Sequence, residues 1–241
     1  MGSNAGIEFQ LRTSPCDLPE LMDGDCSYRD FRGCLRSLEQ INRWLLGYRP
    51  TLAWLKRLPR GLGHPVHIVD VGCGGGDLLR QIAGWARRRG IAVHLTGIDL
   101  NPYAARAAAE STPKELEIAW VTGNALLYRP ENPVDIVVSS LMTHHLEDEE
   151  IIALLRWMEA TARVGWFIND LERSERSSRM FGWVAKMVGW HRFVRHDGPV
   201  SFRRAFREED WVRLLTAADF PRQAVTVERW RPGRLCLGRW M

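Results

Sequence analysis

Five short, continuously apolar runs, at 66–71, 93–99, 118–122, 134–139 and 164–170, constrain this chain more than any other feature. Segments of helical spacing separate most of them. Leu78, Leu79, Ile82 and Trp85 share one helix face, an alanine-rich stretch covers 104–109, and Ile151, Leu154, Leu155 and Met158 mark a third helix. Strands without a polar face must be covered on both sides, and parallel strands need crossovers about a dozen residues long. The expectation is therefore an α/β fold with a mostly parallel sheet between helical layers. Beyond it come a helix at 211–218 and strands at 224–230 and 235–240, joined by a turn holding Pro232 and Gly233. Such a turn pairs its strands antiparallel, which gives seven strands with the last one reversed.

The 241 residues suffice for one packed α/β domain with additions, but not for two. Phe31, Cys34, Leu35, Leu38, Ile41 and Leu45 recur at helical spacing ahead of the sheet, and Pro50 suits the start of a second helix. Pro59, Gly61 and Gly63 then break the pattern. The reading is an N-terminal helical cap over 1–62, a main domain over 63–241, and a lid-like insertion at 171–206. The insertion carries Met180, Phe181, Val184, Met187 and Val188 on one helical side, then the run His191 to Asp197.

No apolar run reaches the roughly 18 residues of a membrane span. Nor does the start show a secretion signal; its first residues resemble a cloning remnant, and Gly2 is not followed by Ser or Thr at position 6. The expectation is a cytoplasmic protein, monomeric or homodimeric, with no membrane partner. Cys16, Cys26, Cys34, Cys73 and Cys236 are odd in number and include no C-x-x-C pair, which argues against both a disulfide framework and a zinc site. The formal charge of +4 is mild and speaks against a nucleic-acid partner.

The segment Asp70-Val71-Gly72-Cys73-Gly74-Gly75-Gly76-Asp77 directly follows the first strand and opens the first helix of the sheet region. Glycines let the chain turn tightly and approach a ligand with its backbone, and Asp77 is placed to cap the helix. A dinucleotide fingerprint would need a third glycine where Asp77 stands, and a carboxylate there repels a pyrophosphate. The pattern D-x-G-x-G-x-G resembles instead the first motif of the class I S-adenosylmethionine-dependent methyltransferases, from about Val66 onward. The overall layout is similar to their ubiquinone/menaquinone-biosynthesis branch.

That resemblance implies a Rossmann-like methyltransferase fold with S-adenosylmethionine as cofactor and S-adenosylhomocysteine as product. It implies a cofactor site made by Asp70, Gly72, Cys73, Gly74 and Gly76 at the methionine part. Asp99 would take the ribose hydroxyls, Leu100 would pack on the adenine, and Asn124 and Ala125 would stand where an adenine-binding acid is common. Ser139 and Ser140 would line the methionine side. Cys73 reads as a small buried residue, since nothing near it in sequence would activate a thiol.

Methyl transfer from a sulfonium is an in-line displacement, and holding the partners in near-attack geometry can supply about 7–11 kcal/mol. A hydroxyl acceptor must also lose its proton, and a positioned histidine contributes about 10²–10⁴-fold to that. His144 and His145, just past the fourth strand, are the candidate bases, because ligands of such sheets bind at that end. Tyr48, Asp170, Phe181, His191 and His196 are the candidate acceptor-binding residues, and the residue pattern gives no metal site. The function expected is O-methylation of an aromatic or phenolic metabolite of secondary metabolism. The alternatives are C- or N-methylation of a small molecule and a non-catalytic cofactor-binding module. RNA or protein methylation would want a broad basic surface, and Ser139-Ser140-Leu141-Met142 lacks the N/D-P-P-Y/F signature of many amino-group methylators.

Overall fold

A computed structural model describes residues 9–58, 63–221 and 223–241. The breakers Pro59 and Gly61, and the N-terminal residues through Gly2, lie outside those ranges. In chain order the elements are α1 (Tyr28–Trp44), α2 (Arg49–Leu55), β1 (Val66–Val71), α3 (Asp77–Arg89), β2 (Val93–Asp99), α4 (Pro102–Ser111), β3 (Ile118–Thr122), β4 (Val134–Ser140), α5 (Asp148–Thr161), β5 (Ala162–Leu171), α6 (Glu175–Val188), α7 (Arg192–Arg204), α8 (Glu208–Ala217), β6 (Thr226–Trp230) and β7 (Arg234–Trp240). The seven strands lie in the order β3-β2-β1-β4-β5-β7-β6. β7 runs antiparallel to both β5 and β6, and the other neighbouring pairs are parallel, as expected from the turn at Pro232 and Gly233.

Successive residues of a strand face opposite sides, so β1 feeds two cores. Val69 packs with Val137, Trp166, Ile168 and Trp211 under α5 and α8, while Ile68 packs with Leu79, Ile82, Leu95 and Phe167 under α2 and α3. α2 is seated by Trp54, which stacks on Trp240 at 4.0 Å and on Phe167 at 5.2 Å between ring centroids. Gly238 leaves room for that ring; a Cβ there would come within 2.6 Å of the Trp54 Nε1.

Local signals set several ends. Ser27 caps α1 by accepting the Asp30 N–H at 3.1 Å, and Asn101 caps α4 ahead of Pro102. The Arg87-Arg88-Arg89 run closes α3, where positive charge is favoured, and Gly90 follows in the left-handed conformation. Asp77 departs from expectation. The N-cap of α3 is the left-handed Gly76, and the Asp77 carboxylate faces Tyr48 and Asn42.

The insertion at 171–206 forms α6 and α7, and the run from His191 supplies the first turns of α7. Cys34 and Ile41 of α1 form one apolar cluster with Ala185, Trp190, Phe193 and Val194, so the N-terminal helix and the insertion cover the same side of the sheet. The apolar side read on α6 is only partly used. Phe181 and Val184 pack on that cluster, whereas Met180, Trp183, Met187 and Val188 are exposed, as is Trp44. No described helix is long and apolar enough to cross a membrane, and all five cysteines are free thiols.

Candidate active site

A cavity of about 920 Å³ opens at the C-terminal ends of β1, β2 and β4, beneath α1, α6 and α7. A single small-molecule site occupies roughly 300–1,000 Å³, so this volume sits at the upper end. One end is the glycine turn. Gly72 and Gly76 both have φ of +71°, and each is crowded from above. A Cβ on Gly72 would meet the Met142 side chain at 2.2 Å, and one on Gly76 would meet the Trp120 Cη2 at 2.2 Å. Gly76→Ala therefore combines a left-handed strain of about 1–2 kcal/mol with an overpacking cost of about 1–3 kcal/mol. Gly90 has φ of +65° and nothing near its Cβ position, so Gly90→Ala should show the strain alone. Urea unfolding should rank Gly76→Ala clearly below Gly90→Ala; equal losses would mean that Trp120 yields freely.

Three carboxylates surround this turn. Asp70 is buried, lines the cavity, and its Oδ1 has no hydrogen-bond partner. Burial, reinforced by the charges of Asp77 and Asp99, holds its carboxyl well above the usual range. Asp99 ends β2 and accepts N–H groups from Gly74 at 2.8 Å and Asn101 at 2.9 Å. Burial raises its carboxyl as well, against the pull of those two donors. Asp77 accepts the Tyr48 hydroxyl at 2.7 Å and the Asn42 amide at 3.2 Å. Burial and then Asp77 push the Tyr48 phenol upward. An acid-rich, partly unsatisfied cradle of this kind suits a ligand carrying positive charge. Leu100 is 68% exposed at the cavity edge, a suitable apolar platform for a flat ring.

The other polar group stands past β4. Leu141 takes a left-handed turn with φ of +56°, and Thr143–His145 form a short 3-10 turn behind it. His144 is buried; its Nδ1 lies 2.7 Å from Asp170 Oδ1, and its backbone N–H reaches Asp170 Oδ2 at 3.1 Å. Thr143 Oγ1 donates to the same Oδ2, and the Leu171 N–H to Oδ1 at 2.7 Å. Burial would raise the Asp170 carboxyl, but His144, Thr143 and Leu171 hold it well below the ordinary range. His145 Nδ1 lies 2.8 Å from Asp23 Oδ1. Burial lowers the His145 imidazolium pKa, yet Glu20 and Asp23 outweigh this and raise it. Asp23 is held down at about 2 by His145 and Arg204 despite its own burial.

Of the residues expected at the site, Asp70, Gly72, Cys73, Gly74, Asp99, Leu100, Asn124, Ala125, Ser140, Tyr48, Phe181, His144 and His145 line this one cavity. Others are placed differently. Gly76 lies under Trp120, and the Ser139 hydroxyl donates to the Val71 carbonyl at 3.0 Å within the sheet. Asp170 is buried behind His144, whose Nδ1 it contacts, and does not line the cavity. The Tyr48 hydroxyl is committed to Asp77. Asn124 uses its amide oxygen to accept the Leu126 N–H at 2.9 Å, which leaves that oxygen one further lone pair. His191 caps α7 by accepting the Phe193 N–H, and His196 pairs with Asp197 at 2.8 Å on the surface, so neither reaches the cavity.

Sequence reading missed Glu20, Asp23 and Arg204. Arg204 is fully buried; its Nε donates to the His144 carbonyl at 3.0 Å and its Nη1 to Asp23 at 3.1 Å. Glu20 accepts the Ser201 hydroxyl at 2.7 Å. Its segment has no helical or strand periodicity, so no local signal pointed to it.

The strand order, the single reversed strand and an acid-lined glycine turn after β1 define a Rossmann-like domain of the methyltransferase type. A family profile described as "Methyltransferase domain" matches residues 68–165. Residues 68–165 thus match a methyltransferase domain, and the chain is similar to class I S-adenosylmethionine-dependent methyltransferases. It is 29% identical over 183 residues to a ubiquinone biosynthesis O-methyltransferase of Albidiferax ferrireducens, covering 72% of this chain and 65% of that protein. It is 33% identical over 169 residues to a trans-aconitate 2-methyltransferase of Streptomyces avermitilis, covering 66% and 61% respectively. The chain thus spans less than two thirds of the length of these curated relatives.

Among solved structures, the plantazolicin methyltransferase BpumL with S-adenosylhomocysteine superposes with a TM-score of 0.60 at 17% identity, covering 83% of each chain. Human N-acetylserotonin methyltransferase with S-adenosylmethionine gives 0.60 at 15% identity, covering 89% of this chain and 56% of that one. Both of these neighbours hold S-adenosylmethionine or its product. The residues present fit such a ligand: the unpartnered Asp70 oxygen beside the glycine turn would suit a cationic amino-acid end, and Asp99 and Leu100 a nucleoside.

Proposed function

We propose that this protein transfers a methyl group to an oxygen of an aromatic or phenolic small molecule. One observation carries the reading: His144, His145 and Glu20 form a polar cluster on the wall of the same cavity that holds the Asp70 and Asp99 cradle. Phe181, Trp190 and Val194 make the apolar part, from the insertion that covers it. Held by Asp70, Asp99 and Leu100, S-adenosylmethionine would supply an electrophilic methyl on a sulfonium, whose sulfur would keep the electron pair when the methyl passes to oxygen.

The chain's own residues then have three tasks. Asp70, Asp99 and Leu100 hold and orient the cofactor. The cover of α1, α6 and α7 excludes water, which strengthens the electrostatics inside. His144, fixed by Asp170, and His145, fixed by Asp23, present their Nε2 atoms to the acceptor side and activate the acceptor hydroxyl. The O-methyltransferase named above is consistent with an oxygen acceptor.

Incubation with labelled cofactor and a panel of phenols, read by mass spectrometry and NMR, should give one added methyl on oxygen. His144→Ala and His145→Ala should each lower turnover by about 10²–10⁴-fold while S-adenosylhomocysteine affinity holds. Methylation on carbon or nitrogen would overturn the oxygen assignment. Cofactor binding without turnover on any acceptor would favour a binding module.

A further inference from the structure

Glu20, His144 and His145 share an arrangement that a base alone does not require. Their ligand-capable atoms all lie within 4.8 Å of one another. The Nδ1 of each ring is held by a carboxylate, Asp170 at 2.7 Å and Asp23 at 2.8 Å. Each ring therefore directs Nδ1 at its carboxylate and its other nitrogen, Nε2, toward Glu20. The two Nε2 atoms stand 3.9 Å from Glu20 Oε1 and 3.8 Å from Glu20 Oε2. A charge-assisted hydrogen bond closes to about 2.7–2.9 Å, so these three groups do not pair with each other. They converge on a common point, as ligands of one ion do.

We infer that Glu20, His144 and His145 bind a divalent transition-metal cation in the wall of the acceptor cavity. Two imidazoles and one carboxylate suit zinc or ferrous iron better than magnesium or calcium, which prefer oxygen donors. A carboxylate behind each ligating histidine is the usual means of fixing tautomer and ring orientation at metal sites. The buried Arg204 contacts Glu20 at 3.5 Å and Asp23 at 3.1 Å and holds both carboxylates in place.

This inference rests on the acceptor-activating role proposed for the two histidines and deepens it. A cation held there, with open positions toward the cavity, binds the acceptor oxygen directly and favours its deprotonated form, the proton passing to solvent. The sequence pattern, with Glu20 over a hundred residues from His144, gave no metal site; the fold brings the donors together.

The test uses the full chain stripped with chelator and titrated with Zn²⁺ by calorimetry, and with Co²⁺ followed by visible absorption. One ion per chain is expected. Glu20→Gln and His145→Ala should each weaken binding by at least about 100-fold, and Asp23→Asn by about 10–100-fold. His196→Ala, on the surface, should bind as the parent does, and circular dichroism checks that each variant is folded. Absence of a stoichiometric ion, or equal affinity in folded Glu20→Gln, overturns the site. Equal phenol methylation by stripped and loaded protein also overturns the cation's role and leaves the methyl-transfer reading intact. One ion bound with these losses, but no phenol methylated, supports the site and removes the proposed acceptor chemistry.

Discussion

Asp70→Asn is expected to raise the melting temperature of the cofactor-free protein while weakening its affinity for S-adenosylmethionine about ten- to a hundredfold. The stability half follows from proton linkage. Burial and the neighbouring Asp77 and Asp99 place the Asp70 carboxyl well above its usual range. The folded chain therefore holds a proton that the unfolded chain releases near pH 4. Stability from this group is complete below about pH 4 and is lost as pH rises through the raised folded value. Asparagine has nearly the same shape and no charge to bury, so the difference should be small at low pH and widen toward neutrality. A gain of about 1–2 kcal/mol corresponds to roughly 2–8 °C in a domain of this size.

The binding half has the opposite sign, because the unpartnered Oδ1 is what a cationic ligand would satisfy. A hydrogen bond to a charged group contributes about 1.5–3 kcal/mol, and 1.4 kcal/mol is tenfold in affinity. Thermal melts at two pH values beside calorimetric titration of the cofactor separate the halves. A variant that melts lower at neutral pH, or binds as tightly as the parent, would remove Asp70 from the role given to it.

The difference between Asp70 and Glu20 also explains what could be read from the sequence. Asp70, Gly72 and Gly76 lie on one uninterrupted strand, turn and helix, so their geometry is local and their spacing reports it. The reversed β7 was legible for the same reason, since Pro232 and Gly233 sit between two short strands. Glu20, Asp23 and Arg204 join His144 and His145 only because the N-terminal segment and α7 fold over one end of the sheet. Nothing periodic in 14–27 announces that closure. Helical spacing on α6 likewise identifies which side chains share a face, but not whether that face finds a partner. Phe181 and Val184 do, while Met187 and Val188 are left to solvent. His191 and His196 were attractive by residue type, and the fold uses one as a helix cap and the other in a surface pair.

Asp170→Asn is expected to be the most damaging conservative change in the protein, in both stability and turnover. The Asp170 carboxylate is fully buried, and donors fill its four acceptor positions: His144 Nδ1 and the Leu171 N–H on Oδ1, the Thr143 hydroxyl and the His144 N–H on Oδ2. An amide offers a single acceptor oxygen. In either orientation its NH2 faces a backbone N–H, from Leu171 or from His144, that cannot turn away. Breaking a buried charged network in this manner costs about 3–5 kcal/mol, or roughly 6–20 °C in melting temperature.

Turnover falls for a separate reason. If the NH2 faces His144, the ring must accept at Nδ1 and carry its proton on Nε2, which removes the lone pair directed at the cavity whether a proton or a cation is its partner. A loss of about 10²–10⁴-fold in kcat is expected, with S-adenosylhomocysteine affinity held within a few fold because the cofactor cradle is elsewhere. Thr143→Val is the comparison, because it deletes one donor and leaves the tautomer alone. It should destabilise by about 1–3 kcal/mol and keep most turnover. Measured below its melting temperature, an Asp170→Asn protein that turns over as fast as Thr143→Val would show that Asp170 serves the fold only, and that the His144 tautomer is set by some other contact.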